Sequence, residues 1–241
     1  MFWWIFAALL AFFIKGLCGF ANTLVFSTIL SFGSSNINIT PVELLLGFPT
    51  NLILAWKERK SIRWNLCLPL IALILAGNIP GIFLLKNTDS RSVKIFFGLV
   101  IVGIGAEMLL REVHPAKGKE SRLVLILIGV FSGILSGMYG IGAMLAAYVS
   151  RVTKDSHSFK ANMCAVFIAE NLFRIPMYIA TGILTPFAFR QAVLLFPAML
   201  IGLLAGMKSS SLLDEKIVKK LVVVMLILSG ASLVISEVLA G

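Results

Sequence analysis

The sequence predicts an all-α, polytopic membrane protein, and three observations lead there. Apolar residues make up 59% of the 241 positions and charged residues only 13%, with a strongly positive mean hydropathy; a water-exposed surface cannot be built from that. The apolar residues gather into long runs joined by short polar connections, the pattern of successive membrane spans. No run alternates with a period of two. Lipid offers no partner to backbone polar groups, so these runs must pair them within helices rather than across the strands of a barrel.

The first run, residues 2–32, starts at once after Met1 with no basic region or small-residue cleavage site, so it is expected to be retained. Lys15-Gly16-Leu17-Cys18-Gly19 interrupts it, and glycine is cheap where a helix must stop or turn. Each flanking piece of about 13 residues rises only about 20 Å against a hydrocarbon core of about 30 Å. The second run, 41–56, is shorter, and Thr40-Pro41-Val42-Glu43 ahead of it reads as a capping box with Pro at the first helical position. Run 64–85 carries Gly77 and Gly81, and run 187–207 carries Gly202 and Gly206; their four-residue spacing predicts close helix packing. Between them come runs 93–110 and 123–149, the latter broken by Ser136-Gly137-Met138-Tyr139-Gly140-Ile141-Gly142, and the interrupted run 159–180. Run 217–235 is the eighth. Trp3, Trp4, Trp56 and Trp64 stand at span ends, where tryptophan anchors to the interface.

The composition shifts for long enough to form a linker only at residues 111–122. This divides the chain into an N-terminal repeat (1–112), a cytoplasmic linker (113–121) and a C-terminal repeat (122–241), each repeat with four hydrophobic segments. Gly16 and Gly19 recur as Gly137 and Gly140, Asn51 as Asn171, and Gly77, Gly81, Asp89 and Val93 as Gly202, Gly206, Asp214 and Val218, all in order. The net charge of +10 would suggest nucleic acid in a soluble protein, but here Lys and Arg sit in the connections, where they direct topology. If every run crosses once, the basic residues divide nine against ten. If the first and fifth segments are broken or re-entrant and return to their own side, the division is fifteen to four. That satisfies the positive-inside rule and makes the halves inverted repeats, as in many secondary transporters.

Unwound backbone at the breaks exposes amides, and half-helix N-termini direct partial positive charge between them, an arrangement suited to an oxyanion. Three charged residues fall well inside a run: Lys15, Glu170 and Arg174. Their sum of +1 favours an anionic ligand, with Asn22, Asn51 and Asn171 as hydrogen-bond donors beside it. The expected substrate-binding set is Lys15, Gly16, Cys18, Gly19, Asn22, Asn51, Gly137, Tyr139, Gly140, Gly142, Asn171 and Arg174, with Glu170 balancing charge. A purely structural Glu170–Arg174 pair and a snorkelling Lys15 are the competing readings. Cys18 is either a soft ligand contact or a small apolar residue. Cys18, Cys67 and Cys164 all lie in apolar runs and do not form a disulfide framework.

The early glycine break, the basic Trp-containing loop 57–65, Leu68-Pro69, Gly77-Asn78-Ile79-Pro80-Gly81 and, in the second half, Gly137, Gly140-Ile141-Gly142, Phe196-Pro197, Gly202, Gly206 and Leu213-Asp214 together resemble the sulfite exporter TauE/SafE family of membrane transporters. The resemblance covers essentially the whole chain and implies transport of small sulfur-containing or carboxylated anions. The family's run of adjacent glycines is reduced here to Gly19-Phe20-Ala21-Asn22 and Gly140-Ile141-Gly142-Ala143, so fine substrate specificity does not carry over. The expectation is a secondary transporter of small anions, multi-pass in the cell (inner) membrane, with no cofactor and no nucleic-acid partner. Proton coupling through Glu170 is weakened by a basic neighbour that would hold it ionised. A passive anion channel is the alternative. An embedded enzyme fits less well, because both histidines and all three aspartates lie in loops and no HExxH or Gly-x-Ser-x-Gly occurs.

Overall fold

The computed structural model describes residues 1–30, 36–87, 122–140, 142–153 and 155–214, with scattered positions between 95 and 106 and between 217 and 235. The expected runs 93–110 and 217–235 and the linker 113–121 therefore lie, but for isolated helical positions, outside the described residues. Eight α-helices are described in full: α1 (Phe2–Cys18), α2 (Asn22–Leu30), α3 (Asn36–Lys57), α4 (Trp64–Asn87), α5 (Arg122–Tyr139), α6 (Ala143–Val152), α7 (Ser156–Ala180) and α8 (Pro186–Leu212). A 3-10 turn, Arg59–Ser61, joins α3 to α4. Stretches of α3, α4, α7 and α8 of 20, 21, 25 and 27 residues are long and apolar enough to cross a membrane. Large apolar side chains such as Leu52, Leu68, Ile79, Phe83, Leu172, Ile179, Phe189 and Ile201 are exposed around them. This is an integral, multi-pass helical membrane protein.

The breaks fall within the two glycine stretches marked in the sequence, at Gly19 and Gly140. α1 continues through Lys15, Gly16 and Cys18 and stops at Gly19, whose φ of 86° is left-handed and whose amide caps onto the Lys15 carbonyl. α5 continues through Ser136 and Gly137 to Tyr139, and Gly140 (φ 72°) ends it in the same way. Both glycines supply a backbone conformation that side chains resist. Ala21 also takes a positive φ, 72°. α3 begins at Asn36 rather than near Pro41, so the Thr40–Glu43 box is not an N-terminal cap but part of the helix interior. Trp3, Trp56 and Trp64 are exposed at helix ends as expected, whereas Trp4 turns inward, edge-on to Phe26 and Phe187 at 5.8 and 6.4 Å.

Helix directions follow from which residues meet. A Cβ on Gly202 would collide with the Leu9 carbonyl and one on Gly206 with that of Phe13, so α8 runs parallel to α1. A Cβ on Gly77 would strike the Val130 carbonyl and one on Gly81 would lie 2.5 Å from that of Ile134, so α4 runs parallel to α5. α7 opposes α3, since His157 Nδ1 is 2.9 Å from Glu58 Oε2 at one end and Tyr178 packs in a cluster with Leu44 at the other. The ends of α1, α3 and α8 meet the start of α7 around a common cavity. Thus α1, α3 and α8 run one way and α4, α5 and α7 the other. α1 and α3 share a direction because α2 returns between them, folded back along α1 with Phe26 against Trp4.

The main packing pairs are α1 with α8, α4 with α5, α3 with α7, α3 with α8, α4 with α7, α1 with α2, α5 with α6, α2 with α3 and α6 with α7. Exchanging α1–α4 for α5–α8 reproduces the same set. The crossings also correspond residue by residue. Leu9 and Phe13 stand to Gly202 and Gly206 as Val130 and Ile134 stand to Gly77 and Gly81.

Candidate functional site

The two breaks bring their tips to the middle of the bundle, where α3 and α7 cross them. α3 presents Glu43, Gly47 and Asn51, spaced four apart and therefore on one helix face. α7 presents Glu170, Asn171 and Arg174, α1 contributes Lys15, the first break Phe20, Ala21 and Asn22, and the second Gly140 and Gly142. They enclose a cavity of about 20 Å³, room for roughly one water molecule.

The walls are charged and almost wholly buried. Lys15 and Glu170 are 1% exposed, Arg174 2% and Glu43 4%; four ionisable groups at this depth would be very costly without mutual compensation. Arg174 Nη1 lies 3.4 Å from Glu170 Oε1, and its Nη2 donates to the Tyr178 hydroxyl at 2.7 Å. Tyr178 donates onward to the Gly137 carbonyl at 3.0 Å, which ties Arg174 to the end of α5. Ser136 donates to Glu170, and Asn22 donates to Glu43. Glu43 also stands beside the second break, since a Cβ on Gly140 would lie 3.2 Å from Glu43 Oε2 and 3.4 Å from Arg174 Nη1. Arg174 Nε and Asn51 Oδ1 are buried without a partner among the described residues. Buried polar groups are ordinarily hydrogen-bonded, so these two atoms leave hydrogen-bonding capacity unused within the cluster.

Of the expected site residues, Lys15, Asn22, Asn51, Gly140, Gly142, Glu170, Asn171 and Arg174 come together at this cavity. Gly16 and Gly137 do not line it; both sit at helix crossings, where a Cβ on Gly16 would collide with the Leu203 carbonyl and one on Gly137 would lie 2.7 Å from that of Asn78. Cys18 is buried in an apolar cluster with Phe20, Leu24 and Met163. Gly19 packs instead on the side chain of Lys160. The side chain of Tyr139 lies outside the described residues. Glu43, Thr23, Gly47 and Phe167 line the cavity without having been expected there. With Glu43 counted, the formal charge of the four ionisable groups is zero, not the +1 read from three. The one sequence signal for Glu43, masked by the local capping pattern, was its spacing: Glu43, Gly47 and Asn51 form a small-and-polar stripe on one face of α3.

A model of the family described as sulfite exporter TauE/SafE matches residues 4–233. No curated protein and no solved structure matches the chain.

Proposed function

Because the chain belongs to the sulfite exporter TauE/SafE family, we propose that it is a secondary transporter moving sulfite, organosulfonates or related small sulfur-containing or carboxylated anions across the cytoplasmic membrane by alternating access. The buried cluster of Lys15, Glu43, Glu170 and Arg174 at the two breaks carries this reading. Ionisable groups at membrane depth mark ion and proton pathways. Lys15 and Arg174 attract an oxyanion, while Asn51 and Asn171 supply orienting hydrogen bonds. A charge-balanced cluster becomes net negative when an anion enters, and an uncompensated charge in a low-dielectric site is costly. One proton taken up on Glu43 or Glu170 with each unit of anion charge removes that cost.

In this reading residues 1–112 and 122–241 are inverted repeats joined by a cytoplasmic linker at 113–121. The opposed directions of α1 and α5, and the packing pairs that survive exchange of the halves, support it. Six crossings and two re-entrant hairpins, α1–α2 and α5–α6, leave both termini outside and fifteen of the nineteen basic residues outside the central cluster on the cytoplasmic side. The 20 Å³ cavity corresponds to a closed stage between openings to either side.

The test is flux in liposomes containing the purified chain and a pH-sensitive dye in the lumen. Sulfite entry should saturate and should acidify the lumen beyond what sulfite alone causes in protein-free liposomes. A non-saturating current in place of coupled uptake would replace the carrier with a channel.

A further inference from the structure

We propose that the chain holds a second anion site, a vestibule of about 250 Å³ in which Lys160 detains a small oxyanion before it reaches the central cluster; the proposal rests on the transporter reading and names a stage in it. The vestibule lies where the ends of α1, α3 and α8 meet the start of α7, and Lys57, Glu58, His157, Lys160 and Ser210 are in its wall. At 250 Å³ it has more than ten times the volume of the central cavity.

Lys160 is 5% exposed although it lies only one turn into α7. Its ammonium donates to the Ser210 hydroxyl, its one hydrogen-bond partner among the described residues, and an ammonium has three donors. The carboxylate in the same wall, Glu58, is engaged by His157 at 2.9 Å. Lys57 and Lys160 against Glu58 leave the described wall with a formal excess of one positive charge when His157 is neutral. A wide, basic, hydroxyl-bearing recess recognises a small oxyanion such as a sulfonate.

Its position gives it a role. Lys15 lines the central cavity and the next residue, Gly16, lines the vestibule, so the end of α1 is the wall between them. The turn at Gly19 rests on the Lys160 side chain, and the Cys164 thiol donates to the Gly19 carbonyl at 3.9 Å. An anion held by Lys160 is therefore one thin turn away from Lys15, and displacement of the Gly19–Ala21 turn joins the two sites.

The experiment reads anion preference without requiring transport. A cysteine at Ser211, in the same wall, is reacted in the full-length purified chain with 2-sulfonatoethyl methanethiosulfonate and with its trimethylammonioethyl counterpart. Each rate is divided by that of a free small thiol, and the parent chain, whose cysteines are buried, gives the background. The sulfonate reagent should be favoured roughly tenfold, Lys160→Arg should keep the preference, and Lys160→Met and Lys160→Gln should each bring the ratio close to one. A ratio near one with Lys160 present, or one unchanged in both neutral variants, overturns the site. A chain that fails to carry sulfite in liposomes yet keeps the Lys160-dependent ratio overturns the transporter reading and leaves this site standing.

Discussion

Arg174 is held by groups from two sides, Glu170 on its own helix and Tyr178 tied to α5 through the Gly137 carbonyl. Arg174→Gln should lower stability by about 3–5 kcal/mol, because it strands buried carboxylates, and pairing it with Glu170→Gln should restore most of the melting temperature in detergent. Anion affinity should stay roughly ten- to a hundredfold down in both, since a charge-assisted hydrogen bond contributes about 1.5–3 kcal/mol and each 1.4 kcal/mol is a factor of ten. Recovery of affinity in the double variant would make Arg174 structural only. Glu43→Gln should keep sulfite binding and lose the accompanying proton, which simultaneous sulfite and proton flux measurements in liposomes would detect. Glu170 and Arg174 were legible because charges inside an apolar run need no structural context to stand out. Glu43 was not, because Thr-Pro-Val-Glu satisfies a local capping pattern, whereas the partners that define it, Asn22 and Gly140, come from distant breaks.

The helix crossings and the breaks make different demands on glycine. At Gly77 and Gly206 the obstacle is a neighbouring backbone carbonyl, which cannot move without shifting a helix. Gly77→Ala and Gly206→Ala should therefore lower the melting temperature, while Gly103→Ala, with nothing within 4 Å of the added Cβ, should leave it unchanged or raise it through helix propensity. Equal losses at all three would dissociate stability from these crossings. At Ala21 the φ of 72° strains a residue with a Cβ by roughly 1–2 kcal/mol. Ala21→Gly should raise the melting temperature modestly, the relief being partly offset by about 0.4–1 kcal/mol of added unfolded-chain freedom, and Gly140→Ala should lower it. The glycines were visible in the sequence, but a glycine at a crossing and one at a turn look alike there. Both breaks fall inside the stretches the pattern marked, at Gly19 and Gly140, whereas Gly16 and Gly137 of the same stretches belong to the crossings.

Across the whole molecule, Glu58 and His157 meet although they lie in different halves, so the loops they mark share one face. Single cysteines at Lys60 and His157 should be protected from an impermeant thiol reagent in intact cells, and one at Arg190 should be labelled. Labelling at 60 and 157 with protection at 190 would reverse the orientation; labelling at only one of the first two would break the six-crossing scheme. The helical class and most segments were legible from hydropathy, which needs only composition along the chain. α3 was drawn too short because its first turns, from Asn36 to Thr40, are polar, although Ile39 and Thr40 are buried inside the protein. The pairing of α1 with α8 carries a consequence for synthesis. At about 5–20 residues per second, a ribosome takes roughly 10–40 s to travel from one to the other. Throughout that interval the first helix is in the bilayer without the surface that fits it, and quality-control proteases have their opening. Fragments 1–112 and 122–241 made alone should be degraded, whereas made together they should assemble, as pulse-chase labelling would show.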